Sequence, residues 1–140
     1  MPCDGEACVL GCRLRVEVKI TSTGQWLWAE YDNMTIESEV NNYRLHVTGY
    51  HGNAGDAFND DNVVNWRSNG MAFSTPDVDN DQKSKGNCAV VGGCGWWYRE
   101  CSTSRLNCQA YMYWYSKPTA HFHKAIPVSA SRMLLQCGAG

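Results

Sequence analysis

Apolar and charged residues alternate without a break from Leu14 to Ile20, a period of two that predicts a strand with one buried face. Thr21 to Gly24 reads as a turn, and Trp26 to Tyr31 as the returning strand with its aromatics on alternate positions. Asp32-Asn33 begins a second turn, with a short strand at Met34 to Ile36. Tyr43 to Val47 alternates again. Asp56 suits the N-cap of a short helix, and Asn69-Gly70 is a turn signal. Tyr111 to Tyr115 is an aromatic strand that Lys117-Pro118 breaks. Ala120 to His123 makes another short strand, Met133 to Leu135 closes the chain as a buried strand, and Gly138 to Gly140 frays.

Within 140 residues this pattern fits one domain, with no repeat, heptad or low-complexity tract. A net charge of −2 with scattered Lys and Arg gives no footprint for nucleic acid, and no apolar run reaches membrane-spanning length. Eight cysteines without a Cys-x-x-Cys pair point to disulfides in an oxidising compartment, hence to secretion. Residues 1–13 read as a pinned arm or an added remnant, since Met-Pro-Cys-Asp-Gly has neither a basic nor an apolar leader region.

The candidate chemistry gathers between Met71 and Asn107. Asp77, Asp79 and Asp81 alternate in one loop, so their oxygens suit a hard cation such as calcium, with backbone carbonyls from Lys83 or Ser84 and Gly86; a solvated acidic turn is the competing reading. An EF-hand fails, because Gln82 stands where its glycine belongs and Cys88 where its glutamate belongs. The triplet Trp96-Trp97-Tyr98 cannot place all three rings on one side, so part is core and part can wall a pocket. His121 and His123 have no third ligand at a zinc spacing, Ser102, Ser104, His46 and Asp56 form no triad, and Asn33-Met34-Thr35 is a glycosylation sequon. No catalytic constellation is present, so the chain reads as a non-enzyme.

The segments NYRLHVTGYHGNAGDAF, NGMAFSTPDVDNDQKSKGNCA and GWWYRECSTSRLN, with the terminal RML, resemble the fibrinogen-related domain, the C-terminal globular module of fibrinogen chains, ficolins, tachylectins and angiopoietins. The likeness runs from Leu14 to Asn107 and thins out afterwards; the family's opening Gly-Trp-Thr part has no counterpart. It implies an α+β fold: an antiparallel twisted sheet with short helices and long disulfide-tied loops. On this reading 14–140 is a shortened domain, with its central sheet in 14–75 and 109–136 and its calcium and pocket loops in 76–108.

The resemblance further implies a Cys88–Cys101 disulfide and a calcium ion held by Asp79, Asp81, Ser84 and Gly86, although Asp81 and Gly86 stand one residue further apart than in the family. It also implies a cis peptide at Glu100-Cys101 that presents backbone N–H groups to a ligand oxygen. The pocket would use Trp97, Tyr98, Glu100, Cys101, Ser102 and Tyr113. Ser102 replaces the usual histidine and Gly92 a wall tyrosine. Cys94 and Cys108 both replace family glycines and are expected to pair with each other. Cys3, Cys8, Cys12 and Cys137 allow three pairings, of which a clasp from Cys137 to one of the first three is expected. The function implied is that of a secreted, calcium-dependent lectin of innate immunity, recognising acetylated glycans or bacterial cell-wall components. The competing implication is a protein-interaction module that receives a receptor or a peptide end. Assembly into oligomers would come through regions outside this chain.

Overall fold

A computed structural model describes residues 9–59, 64–108, 111–119 and 122–138. Alternation of apolar and polar residues produces the first hairpin, β1 (Val9–Ile20) and β2 (Trp26–Ile36), antiparallel from Lys19↔Trp26 onward. The sheet is completed by β3 (Leu45–Gly52), β4 (Ser104–Arg105), β5 (Met112–Thr119) and β6 (Phe122–Gln136), in the order β3-β2-β1-β6-β5-β4, every pair antiparallel. Among the described residues the one α-helix is α1 (Cys88–Gly92), and single 3-10 turns lie at Glu39–Asn41, Ala57–Asn59 and Val64–Trp66.

From Cys12 onward the even positions of β1 face the core. Leu14, Val16 and Val18 are buried beside Ala29 and Tyr31 of β2 and Leu45 and Val47 of β3. The loops between β3 and β5 cover this face, and Phe58 is their centre, in ring contact with Tyr31, Trp96 and Trp114. Burying a ring of this size stabilises by about 1.5–3 kcal/mol. The Tyr31 hydroxyl donates to Asp56 at 2.8 Å, so that carboxylate engages the sheet. The opposite face of the sheet is polar. Arg15 bonds Glu17 and Glu30 and lies over Trp28, while Arg132 bonds Glu17 and lies over Trp26.

Several expectations are corrected. Asp32-Asn33 is not a turn: β2 runs through it as a bulge, with three steps of β2 (Tyr31 to Met34) set against two of β1 (Leu14 to Cys12). β3 starts at Leu45, because Asn42 and Tyr43 carry positive φ. β1 starts at Val9, so residues 9–13 of the expected 1–13 arm belong to the sheet. β5 continues past Pro118 to Thr119, since the proline falls where pairing is irregular and no regular ladder bond is required of it. Met133, Leu134 and Leu135 are not buried; they are 40%, 47% and 50% exposed. The cause is that β5 pairs with β6 only as far as Val128. Cys3, Cys8, Ala120, His121, Ala139 and Gly140 lie outside the described residues.

Candidate functional site

The acidic loop is a chain of side-chain-closed turns. Thr75 and Val78 exchange backbone bonds at 3.0 Å, and the Thr75 hydroxyl donates to Asp77, which holds that carboxyl below its ordinary pKa. Asp79 accepts the Asp81 N–H at 3.1 Å. Asp81 accepts from Lys83 on one oxygen and from Cys88 on the other, both at 2.9 Å. Gln82 N–H donates to the Arg99 carbonyl at 2.9 Å, so the loop is tied to the pocket segment at two points.

Among the described residues, no three His, Cys, Asp or Glu side chains gather as a metal site, and the carbonyls of Ser84 and Gly86 accept no hydrogen bond. Two neighbouring carboxylates and two free carbonyls on one loop are a hard-oxygen donor set, which fits calcium and does not fit a thiolate- or imidazole-seeking metal.

Disulfides frame the next segment. Cys88 pairs with Cys101, Cys94 with Cys108, and Cys12 with Cys137, so the terminal clasp uses the third of the three early cysteines. Helix α1 starts where Asn87 Oδ1 accepts the N–H groups of Ala89 and Val90, and ends at Gly93 with φ +70°. The Glu100-Cys101 peptide is cis.

Two of the expected pocket rings turn inward. Trp97 is 8% exposed, donates to the Tyr43 carbonyl at 2.9 Å and meets Phe73 edge-on; Tyr98 is 1% exposed and donates to the Cys94 carbonyl at 2.9 Å. Burial pushes the Tyr98 phenol up to about 12. Trp97, with Phe73, Trp96, Leu106 and Met133, bounds a cavity of about 420 Å³. Glu100, Cys101, Ser102 and Tyr113 do not line it.

Those four lie elsewhere. Ser102 is buried, and its hydroxyl and carbonyl both meet the Tyr113 hydroxyl at 3.1 Å. Glu100 is exposed. The N–H groups of Glu100 and Thr103 are taken by the carbonyls of Asn65 and Trp66. Those of Cys101 and Ser102 between them have no acceptor among the described residues. Two adjacent donors without a partner, beside two hydroxyls, are chemically able to bond a carbonyl oxygen.

Sequence reading missed the contacts of three residues. Arg105 lies over the rings of Tyr111 and Tyr113, and it does so because it pairs with Tyr113 across β4 and β5, a register that no local pattern announces. Trp66 extends the row of rings through Tyr115 to Tyr113 and Tyr111, with centroids 5.5 to 6.0 Å apart. The Arg99 guanidinium donates to the carbonyls of Arg67 and Asn69, tying the pocket segment to the loop before it. Burial, then the charges of Arg67 and Arg44, lowers its pKa. Gly92, in the wall-tyrosine position, leaves no room for a side chain, since a Cβ there would stand 2.7 Å from the Tyr98 hydroxyl and 2.8 Å from Arg105.

Comparison with known proteins gives a consistent result. Residues 9–125 match the model of the C-terminal globular domain of fibrinogen beta and gamma chains. Human fibroleukin is 38% identical over 98 residues, covering 70% of this chain and 22% of that protein. Human angiopoietin-related protein 6 is 43% identical over 84 residues, covering 60% and 16%. Among solved structures, the fibrinogen-like globe domain of human ANGPTL6 superposes with a TM-score of 0.66 at 31% identity, covering 90% of this chain and 56% of that one. Lamprey fibrin D-dimer, complexed with the peptide Gly-His-Arg-Pro-amide, gives 0.70 at 28% identity, covering 92% and 48%. The chain thus spans about half the length of these solved chains and a quarter or less of the two curated relatives.

Proposed function

Because the chain belongs to the fibrinogen C-terminal globular domain family, whose members are binding modules without catalytic chemistry, we propose that it is a secreted protein-recognition module. Its Cys101-Ser102 segment receives a peptide carbonyl. The observation that carries this reading is the pair of adjacent N–H groups without an acceptor, on a segment whose Ser102 is 5% exposed. A donor at that depth is left unbonded only at a cost of about 1–3 kcal/mol, which an arriving carbonyl oxygen removes. The exposed Glu100 carboxylate stands ready for a cationic peptide group, and the inward turn of Trp97 and Tyr98 withdraws two rings that a sugar would stack on.

Calcium is the cofactor of this reading, held by Asp79 and Asp81 with the carbonyls of Ser84 and Gly86. When bound it supplies a fixed positive charge that neutralises the two carboxylates. This chain's own bonds carry the effect onward: Asp81 to the Cys88 N–H and Gln82 to the Arg99 carbonyl hold the pocket segment in place, which lowers the ordering cost of binding. The three described disulfides fit an oxidising, extracellular setting.

A second reading, recognition of acetylated glycans, is favoured by one feature, the row Trp66, Tyr115, Tyr113 and Tyr111 beside the same two N–H groups. Amide-resolved titration separates the two. With Gly-His-Arg-Pro-amide as probe, the Cys101 and Ser102 amides shift saturably, less so after calcium is removed, and Glu100→Gln weakens the response. Saturable shifts of those amides with N-acetylglucosamine and none with the peptide would favour the glycan reading; no shift with either would overturn both.

A further inference from the structure

The end of β6 is an open strand edge. β5 stops pairing at Met112↔Val128, so among the described residues Ser129 to Gln136 are paired on one side only, to β1 from Ala130↔Lys19 to Gln136↔Arg13. No described residue bonds to the other edge through its backbone; the contact there is a side-chain one, from the Ser131 hydroxyl to the Leu106 carbonyl. The edge is about 27 Å long at the usual rise of a strand. It is held extended, because Cys137 is bonded to Cys12 just beyond it. Natural edges of this length are guarded by lysine, proline or an outward charge. This one carries a single charge, Arg132, and that side chain is withdrawn onto its own sheet, 3.0 Å from Glu17 and over the Trp26 ring.

We propose that this edge pairs with the same edge of a second copy of the chain, antiparallel and centred on Leu134. Residues directly opposite across an antiparallel pair share a face, so a twofold centred on Leu134 sets Leu134 against Leu134 of the other copy, and Met133 against its Leu135. The three half-exposed apolar residues, 40%, 47% and 50% accessible, then cover one another, with Met133 and Leu135 on the inner face and Leu134 on the outer. Arg132 meets Gln136. A register centred on Arg132 would instead set two guanidiniums opposite each other. The edge is therefore self-complementary in polarity and sets no like charges opposite each other, as an isologous contact requires, and it needs backbone donors and acceptors that a glycan cannot supply in a row.

Sedimentation equilibrium of the full chain over a concentration series tests this. The mass is expected to rise from 15.7 kDa toward twice that value. Leu134→Lys and Leu134→Glu should each stay monomeric with unchanged circular dichroism and melting, and an equimolar mixture of the two should regain the dimer, because the opposed residues are then Lys and Glu. A native chain that stays monomeric throughout, variants that associate as the native chain does, or a mixture that fails to recover would each overturn the proposal.

Discussion

The carboxylate of Asp81 holds Cys88 by its backbone: Oδ2 accepts the Cys88 N–H at 2.9 Å while Oδ1 accepts that of Lys83. One side chain thereby ties the acidic loop to the start of α1 and to the Cys88–Cys101 disulfide. Asp81→Ala removes both acceptors and is expected to lower stability by about 1–2 kcal/mol, near the low end for groups that water partly reaches. Asp81→Asn keeps one acceptor and should lose less. Chemical denaturation of the metal-free chains checks the order.

Calcium should raise the melting temperature saturably, by about 2.7 kcal/mol of stability at a hundredfold excess over the dissociation constant. Asp79→Asn should abolish most of that increment. Asp77→Asn should leave it intact, because the proposed ligand set is Asp79, Asp81 and the carbonyls of Ser84 and Gly86, while Asp77 closes its own turn with the Thr75 hydroxyl. Melting curves with calcium and with chelator decide it; an increment unaffected by Asp79→Asn would remove calcium from this loop.

Gly92 and Tyr98 form a steric pair. Ala at 92 would press a methyl group on the Tyr98 hydroxyl at 2.7 Å, and that ring, 1% exposed, has nowhere to retreat. Gly92→Ala is expected to cost about 1–3 kcal/mol. In the Tyr98→Phe background the cost should shrink, a coupling that a double-mutant cycle measures.

The same phenol sets a pH limit. An unfolded tyrosine ionises at about 10, whereas burial holds Tyr98 at about 12. The folded state therefore binds this proton more tightly. Its contribution is complete below pH of about 10 and is lost as pH rises toward about 12, where the unfolded chain gains by ionising first. Stability should fall across that interval, less steeply in Tyr98→Phe. Tyr31, also raised by burial and by Asp56, keeps the slope from vanishing.

How far the sequence could be read follows from what each signal depends on. Leu14 to Ile20 was legible because burial of a single face writes a period of two into the chain. Asp32-Asn33 was misread because a bulge and a turn use the same polar pair; only the three-against-two count across the strands tells them apart. Met133 to Leu135 was misread because apolar composition reports what a strand would bury, and here the neighbouring strand ends at Val128. Of the site, the turn carboxylates and loop cysteines lie close in sequence and were visible. Ser102 and Tyr113 were both named, but their mutual hydrogen bonds and the place of Arg105 between the rings depend on the register of β4 with β5.

The Cys12–Cys137 clasp closes 125 residues, against 14 for Cys94–Cys108. In the chain-entropy model its loss costs about 3–5 kcal/mol, the largest effect of the three bonds. The double variant Cys12→Ser/Cys137→Ser, which leaves no odd thiol from this pair, should unfold at markedly lower denaturant than Cys94→Ser/Cys108→Ser. Equal losses would mean that strand pairing at Arg13↔Gln136 already holds the ends together.

Tyr113 separates the two readings of the Cys101-Ser102 segment. Its hydroxyl fixes Ser102 through two 3.1 Å contacts, and its ring belongs to the row of Trp66, Tyr115 and Tyr111. Tyr113→Phe keeps the ring and deletes the hydroxyl, so it should loosen the Cys101-Ser102 segment and weaken carbonyl capture about 5- to 10-fold, the worth of one neutral hydrogen bond. Tyr113→Leu removes the stacking surface as well. If the partner is a peptide held by the two N–H groups and Glu100, both variants should weaken Gly-His-Arg-Pro-amide to a similar degree. If sugar rings stack on the row, Tyr113→Leu should weaken N-acetylglucosamine far more than Tyr113→Phe does. Parallel titrations of the two variants against both probes therefore read out which group, hydroxyl or ring, does the binding.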